Sequence, residues 1–102
     1  MNFGSMMKQA QKMQAKMAEM QEQLKEEIVE ASAGGGTVKV VMTGDMQVRS
    51  ITIDPDAVDP GDVELLQDMT TAAVNEAIRA AQELSQSRMA AITGRLNLPG
   101  MM

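Results

Sequence analysis

The sequence contains no cysteine, histidine, tryptophan or tyrosine, and its one aromatic residue is Phe3. Without cysteine, disulfides, thiolate catalysis and cysteine-ligated metal are excluded. Without histidine, the commonest general base and metal ligand is missing. A single aromatic ring cannot build a platform for stacking bases or sugars. Serine and threonine lack a partner base, and no carboxylate pair is placed for acid–base work. No apolar run reaches membrane-spanning length. The N-terminal stretch is polar where a cleavable leader would carry its apolar core. These absences predict a cytoplasmic protein that is not an enzyme and that takes no cofactor, metal, membrane or small-molecule substrate.

What is present is unevenly distributed. The net charge of −5 over 102 residues argues against an anionic partner only as a sum. Residues 1–18 carry Lys8, Lys12 and Lys16 and no acid, and residues 84–102 carry Arg88 and Arg95 and no acid. All fourteen acids lie between Glu19 and Glu83. The chain has an acidic body with two basic ends.

A length of 102 residues predicts one domain. Met6, Ala10, Met13, Met17, Met20 and Leu24 recur at helical spacing, and the spacing predicts a helix over 5–26 with Ser5 as its cap. Such a rod is roughly 33 Å long at 1.5 Å per residue. Residues 28–53 predict a three-stranded antiparallel sheet. Two β-branched runs flank Gly44-Asp45, and Gly34-Gly35-Gly36 turns the chain before them. Val29, Ala31 and Ala33 alternate only weakly, and Glu26, Glu27, Glu30 and the alanines would also suit a helix; the strand is favoured because a lone hairpin is marginal in water. A glycine-first pair suits a two-residue hairpin turn. That turn sets Val41 opposite Val48 and Val38 opposite Ile51, which gathers Val38, Val40, Met42, Ile51 and Ile53 on a core face. It leaves the Val41–Val48 pair in the middle of the outer face.

Asp59-Pro60 predicts the start of a second helix, over 60–89. Its apolar stripe is Val63, Leu66, Met69, Ala73, Ala77, Ala81 and Leu84, thickened by Val74 and Ile78. Residues 90–102 contain Gly94, Pro99 and Gly100 and predict a loosely ordered tail.

Lys8, Lys12 and Lys16 follow at i, i+4 and i+8, one stripe along about 12 Å of helix. With no acid in that half they are not a salt-bridged face; the pattern alone fits a solvated helix face as well as a ridge for phosphate contacts without base specificity. A six-residue strand spans only about 20 Å, so the first helix must overhang the sheet at its basic end. Met13 and Met17 on that overhang, and the outer Val41 and Val48, need an apolar partner and predict a two-fold contact between copies. The acids Asp54, Asp56, Asp59, Asp62 and Glu64 do not make a calcium loop: counted from Asp54, position 6 is Asp59 and position 12 is Leu65. The triple glycine is followed by no Gly-Lys-Ser/Thr and is not a phosphate loop.

Six motifs occur in one order: Met6-Met7-Lys8-Gln9-Ala10-Gln11-Lys12-Met13, Gly34-Gly35-Gly36 with Val38-Lys39-Val40, Ile53-Asp54-Pro55, Asp59-Pro60, Ala72-Ala73-Val74-Asn75-Glu76-Ala77 and Leu96-Asn97-Leu98-Pro99-Gly100. Together they resemble the YbaB/EbfC family of bacterial nucleoid-associated proteins, from about Ser5 to Met101. The resemblance implies an α+β protomer of order α-β-β-β-α, with a small antiparallel sheet flanked by two long helices in a tweezer-like homodimer. It also implies double-stranded DNA as partner, a nucleoid location, and a role in chromosome organisation and sometimes gene regulation. The chain departs from the family at the hairpin tip, which reads Asp45-Met46-Gln47 where members often carry lysine and glycine. The resulting expectation is a weakly sequence-selective DNA-binding homodimer. Lys8, Lys12, Lys16, Arg88 and Arg95 face DNA, and Val41, Val48, Met13 and Met17 face the second copy. The competing expectation is a dimeric interaction module whose methionine-rich arms bind a protein and no DNA.

Overall fold

The computed structural model describes residues 2–95. The order of elements is α1 (Phe3–Glu26), β1 (Ile28–Ala33), β2 (Val38–Thr43), β3 (Val48–Ile53), a single 3-10 turn (Pro55–Ala57) and α2 (Val63–Arg95). The strands form one antiparallel sheet in the order β1-β2-β3. The α+β architecture and the third strand are therefore as the sequence predicts.

The helix boundaries differ from expectation because other caps win. Asn2 rather than Ser5 caps α1: its side-chain oxygen accepts from the Ser5 N–H at 2.7 Å. Asp62 rather than Asp59 caps α2, accepting from the Leu65 N–H at 3.1 Å. Asp59 instead closes a turn by accepting from the Gly61 N–H at 2.9 Å, and Asp54 does the same for Asp56 at 3.0 Å. Three of the five clustered acids are thus engaged in satisfying backbone donors. At its far end α2 runs through Gly94 to Arg95, past the expected end at Met89. The remainder of the expected tail, residues 96–102, lies outside the described residues.

The hairpin register also departs from expectation. The β2–β3 loop has three residues rather than two: the Thr43 N–H donates to the Gln47 carbonyl at 2.8 Å, and the Met46 N–H to the Thr43 carbonyl at 3.0 Å. Met46 takes the left-handed conformation at φ 67°, completing a tight turn followed by an αL residue. That adds one residue to the register. A bulge between Val41 and Met42 adds another, with Arg49 as the extra residue: Met42 opposes Val48, and Val41 opposes Ser50. Val48 therefore leaves the outer face and joins Ile51 and Ile53 on the face shared with Met42, Val40 and Val38. The expected Val41–Val48 pair does not form.

Gly44 is a matter of space rather than of turn conformation. Its N–H donates to the Glu27 carbonyl at 2.9 Å, which pins the hairpin to the end of α1. Left-handed backbone is instead concentrated in the β1–β2 loop, where Gly34, Gly35 and Gly36 all have positive φ.

The core lies under α2. Ala73, Ala77 and Ala81, one turn apart, are fully buried against Val38, Val40 and Met42. Small side chains let the helix sit close to the strands, and Val29, Ala31 and Ala33 of β1 close one side. α2 covers β1 and β2 but not β3. Val48, Ile51 and Ile53 therefore remain 49%, 44% and 38% exposed, although their face is the core face. Val63, expected at the head of the α2 stripe, is also exposed. The molecule is long and thin, 69 × 26 × 15 Å.

Candidate nucleic-acid interface

The methionine stripe of α1 is buried only toward its C-terminal end. Leu24 and Met20 are 3% and 6% exposed, Met13 and Met17 are half-buried, and Met6 is 55% exposed. The two helices run antiparallel, so that Lys16 of α1 lies near Ile92 of α2 and Leu24 lies near Ala81. Residues 2–12 are exposed throughout. The part of α1 that overhangs is the part that carries lysine and no acid.

Successive residues of an α-helix are rotated by about 100°. Lys8, Lys12 and Lys16 thus fall within one strip beside the methionine strip. All three are exposed, and none forms an ion pair among the described residues. The contrast with α2 is sharp. Arg79 is held by Glu76 at 2.9 Å and Glu83 at 2.5 Å, which keeps its guanidinium firmly protonated and the Glu76 carboxyl below its ordinary range. Of the cations outside the ridge, Lys25 pairs with Glu22 at 3.0 Å.

Arg88, expected beside the ridge, does face α1 but is occupied. Its Nε donates to Glu27 Oε2 at 3.1 Å and its Nη2 donates to Glu27 Oε1. This pair closes one wall of a groove of about 390 Å³ between the helices, lined by Lys16, Glu19, Gln23, Glu27, Arg88 and Ile92. The structure thus brings Lys16 and Arg88 to one groove, while Lys8 and Lys12 lie further out on the arm. Arg95 is the last residue of α2, and its side chain lies outside the described residues.

Two features escaped the sequence. The Glu27–Arg88 pair joins residues 61 apart, and no local pattern marks it. Arg49 is the bulged residue of β3, and its Nη2 donates to the Lys25 carbonyl at 3.2 Å, in the last turn of α1. A cation there also suits the negative end of the helix.

Of the expected contact residues, Met13 and Met17 lie half-buried on α1, Val41 is half-buried on the face away from α2, and Val48 is exposed on the other face. No described helix is long and apolar enough to cross a membrane.

A three-stranded sheet with one helix packed across it and a second helix projecting, its free half basic, defines an α-β-β-β-α protein with a basic arm. The chain belongs to the YbaB/EbfC DNA-binding family, whose model matches residues 1–96. It is 54% identical over 101 residues to a nucleoid-associated protein of Acetivibrio thermocellus, spanning 98% of this chain and 89% of that protein. It is 55% identical over 100 residues to a nucleoid-associated protein of Desulforamulus reducens, spanning 98% and 95%. The fold is that of an uncharacterized protein from Helicobacter pylori, whose crystal structure superposes with a TM-score of 0.80 at 22% identity, over 91% of this chain and 98% of that one.

Proposed function

We propose that this protein is a nucleoid-associated homodimer that binds double-stranded DNA through phosphate contacts, with weak sequence preference. It contributes to chromosome organisation and gene regulation in the bacterial cytoplasm and carries out no catalysis. The observation that carries this reading is the lysine ridge: three exposed cations on the projecting half of α1, without acid partners among the described residues. Family membership and the names of the relatives support DNA as the partner. Lysine at phosphate supplies affinity without reading bases, and the ridge has neither arginine forks nor aromatic wedges.

Dimerisation is supported by the apolar row that α2 leaves bare. Val48, Ile51 and Ile53, with Met13 and Met17 on the arm, offer the surface a second copy would cover. Val41 offers the smaller contact on the opposite face. Two copies carry six ridge lysines, for which the log–log salt slope should be no steeper than about −5.

The test is a duplex titration at several salt concentrations beside a mass measurement. Lys8→Glu/Lys12→Glu/Lys16→Glu should abolish binding and leave the mass and fold unchanged. Undiminished binding by that variant sinks the assignment. A second reading has one observation in its favour: Met6 and Met7 are exposed on the same arm. In that reading the arms hold a protein partner, binding resists salt, and Met13→Glu or Met17→Glu abolishes it.

A further inference from the structure

The Glu27–Arg88 pair sits where the ridge meets the body. Lys16, which forms no ion pair among the described residues, lines one side of the groove together with Glu19, and Arg88 lines the other. Arg88 is 44% exposed and Glu27 33%, so the pair opens onto the groove and is not sealed in a core. An ion pair this exposed contributes little to stability and is readily exchanged. Arginine presents five N–H donors in a planar fork, and Glu27 takes only the Nε and Nη2 side. A phosphodiester offers the fork the same bidentate geometry as a carboxylate.

We propose that Glu27 gates a phosphate subsite at the root of the arm. In the free protein Glu27 neutralises Arg88; when a duplex phosphate enters the groove beside Lys16, Arg88 exchanges the carboxylate for the phosphate. Glu27 thereby sets how tightly the protein grips DNA. This proposal rests on the DNA-binding reading above and adds to it a competitor built into the protein. The same pair ties the end of α1 to α2, so the exchange couples phosphate binding to the footing of the arm.

The test compares duplex titrations over a salt series for the full-length wild-type protein, Glu27→Gln, Glu30→Gln, Arg88→Gln and the Glu27→Gln/Arg88→Gln double variant. Glutamine at position 27 keeps a carbonyl acceptor for Arg88, so the arm stays seated, and circular dichroism checks the fold. Glu30→Gln removes the same charge from an exposed site on β1, away from the groove, and measures the nonspecific gain. Glu27→Gln should bind roughly three- to tenfold tighter than Glu30→Gln at a similar salt slope, because Arg88 meets a phosphate in both complexes and only its competitor is removed. The double variant should lose that advantage. A gain no larger than that of Glu30→Gln, or one that survives loss of Arg88, overturns the gate and leaves DNA binding by the ridge standing. A wild-type protein that binds no duplex even at low salt overturns the DNA reading, and the gate falls with it.

Discussion

Gly44 lies against Leu24 so closely that a Cβ at position 44 would come within 2.7 Å of Leu24 Cδ2 and 2.9 Å of the Leu24 carbonyl oxygen. The contact holds the hairpin tip to the last turns of α1 and fixes where the arm leaves the body. The carbonyl belongs to helix backbone and cannot swing aside. Gly44→Ala should therefore destabilise the fold by about 1–3 kcal/mol. Gly35→Ala meets no neighbour within 4 Å and carries only the cost of a positive φ, roughly 1–2 kcal/mol. Urea unfolding of the two variants checks the difference in kind. Only Gly44→Ala should also loosen α1, read as faster amide exchange at Met20 and Leu24.

The core under α2 makes a second expectation. Ala77 is fully buried between the helix and the strands, and Ala77→Leu must lift α2 off the sheet. Overpacking should cost about 1–3 kcal/mol or more, and Met42→Ala should cost about 2–5 kcal/mol by leaving a cavity. Thermal melts of both check it; a neutral Ala77→Leu would contradict the close seating of the helix.

Each ridge lysine should behave as a phosphate contact. Lys8→Gln, Lys12→Gln and Lys16→Gln should each weaken binding to unrelated duplexes by a similar factor, and each should flatten the salt slope by about 0.9 per contact removed. Affinities measured on two unrelated sequences check that the loss is uniform.

The bare face of β3 separates two ways of pairing. Ile51→Lys should leave the protomer folded, because Ile51 is already exposed, and should convert a dimer into monomers in sedimentation. Val41→Lys should do so only if the opposite face forms the contact. Val41 and Val48 lie on opposite faces, so the two valines cannot serve one flat interface.

Acid should weaken the fold, though only slightly because both pairs are exposed, through Glu27 and Glu76. The hydrogen bond from Arg88 holds the Glu27 carboxyl below its ordinary value near 4.5, with charge attraction assisting and partial desolvation opposing. Arg79 does the same for Glu76, again through its hydrogen bond first. Because the folded-state values are depressed, this stabilisation is complete above the ordinary value and is lost as pH falls through the folded one. Stability should therefore decline below about pH 4.5, and Glu27→Gln or Glu76→Gln should shallow that decline in a series of urea melts.

Periodicity was enough to read the two helices, the β2–β3 hairpin and the lysine stripe, because each is a repeat within one element. Lys8, Lys12 and Lys16 announced their stripe by spacing, whereas the weak alternation of Val29, Ala31 and Ala33 also suits a helix, and only a lone hairpin's need for a third strand favours β1. What stayed hidden depends on contacts between elements. Gly44 has the appearance of a turn glycine, yet it is small because Leu24 is beside it, while Met46 takes the left-handed conformation. Asp59 and Asp62 are both good caps, and only the path of the chain decides between them. Arg88 counts as a free cation in composition until the fold sets Glu27 opposite it.

The fading burial along α1 is also a fading resistance to unravelling. Near Leu24 the helix is held by tertiary packing, whereas near Lys8 it relies on its own backbone bonds, and a short helix without packing is marginal in water. Amide hydrogens should exchange progressively faster from Leu24 toward Lys8. A polyanion laid on the outer turns would have to still them first, so part of its attraction would be consumed as lost chain entropy.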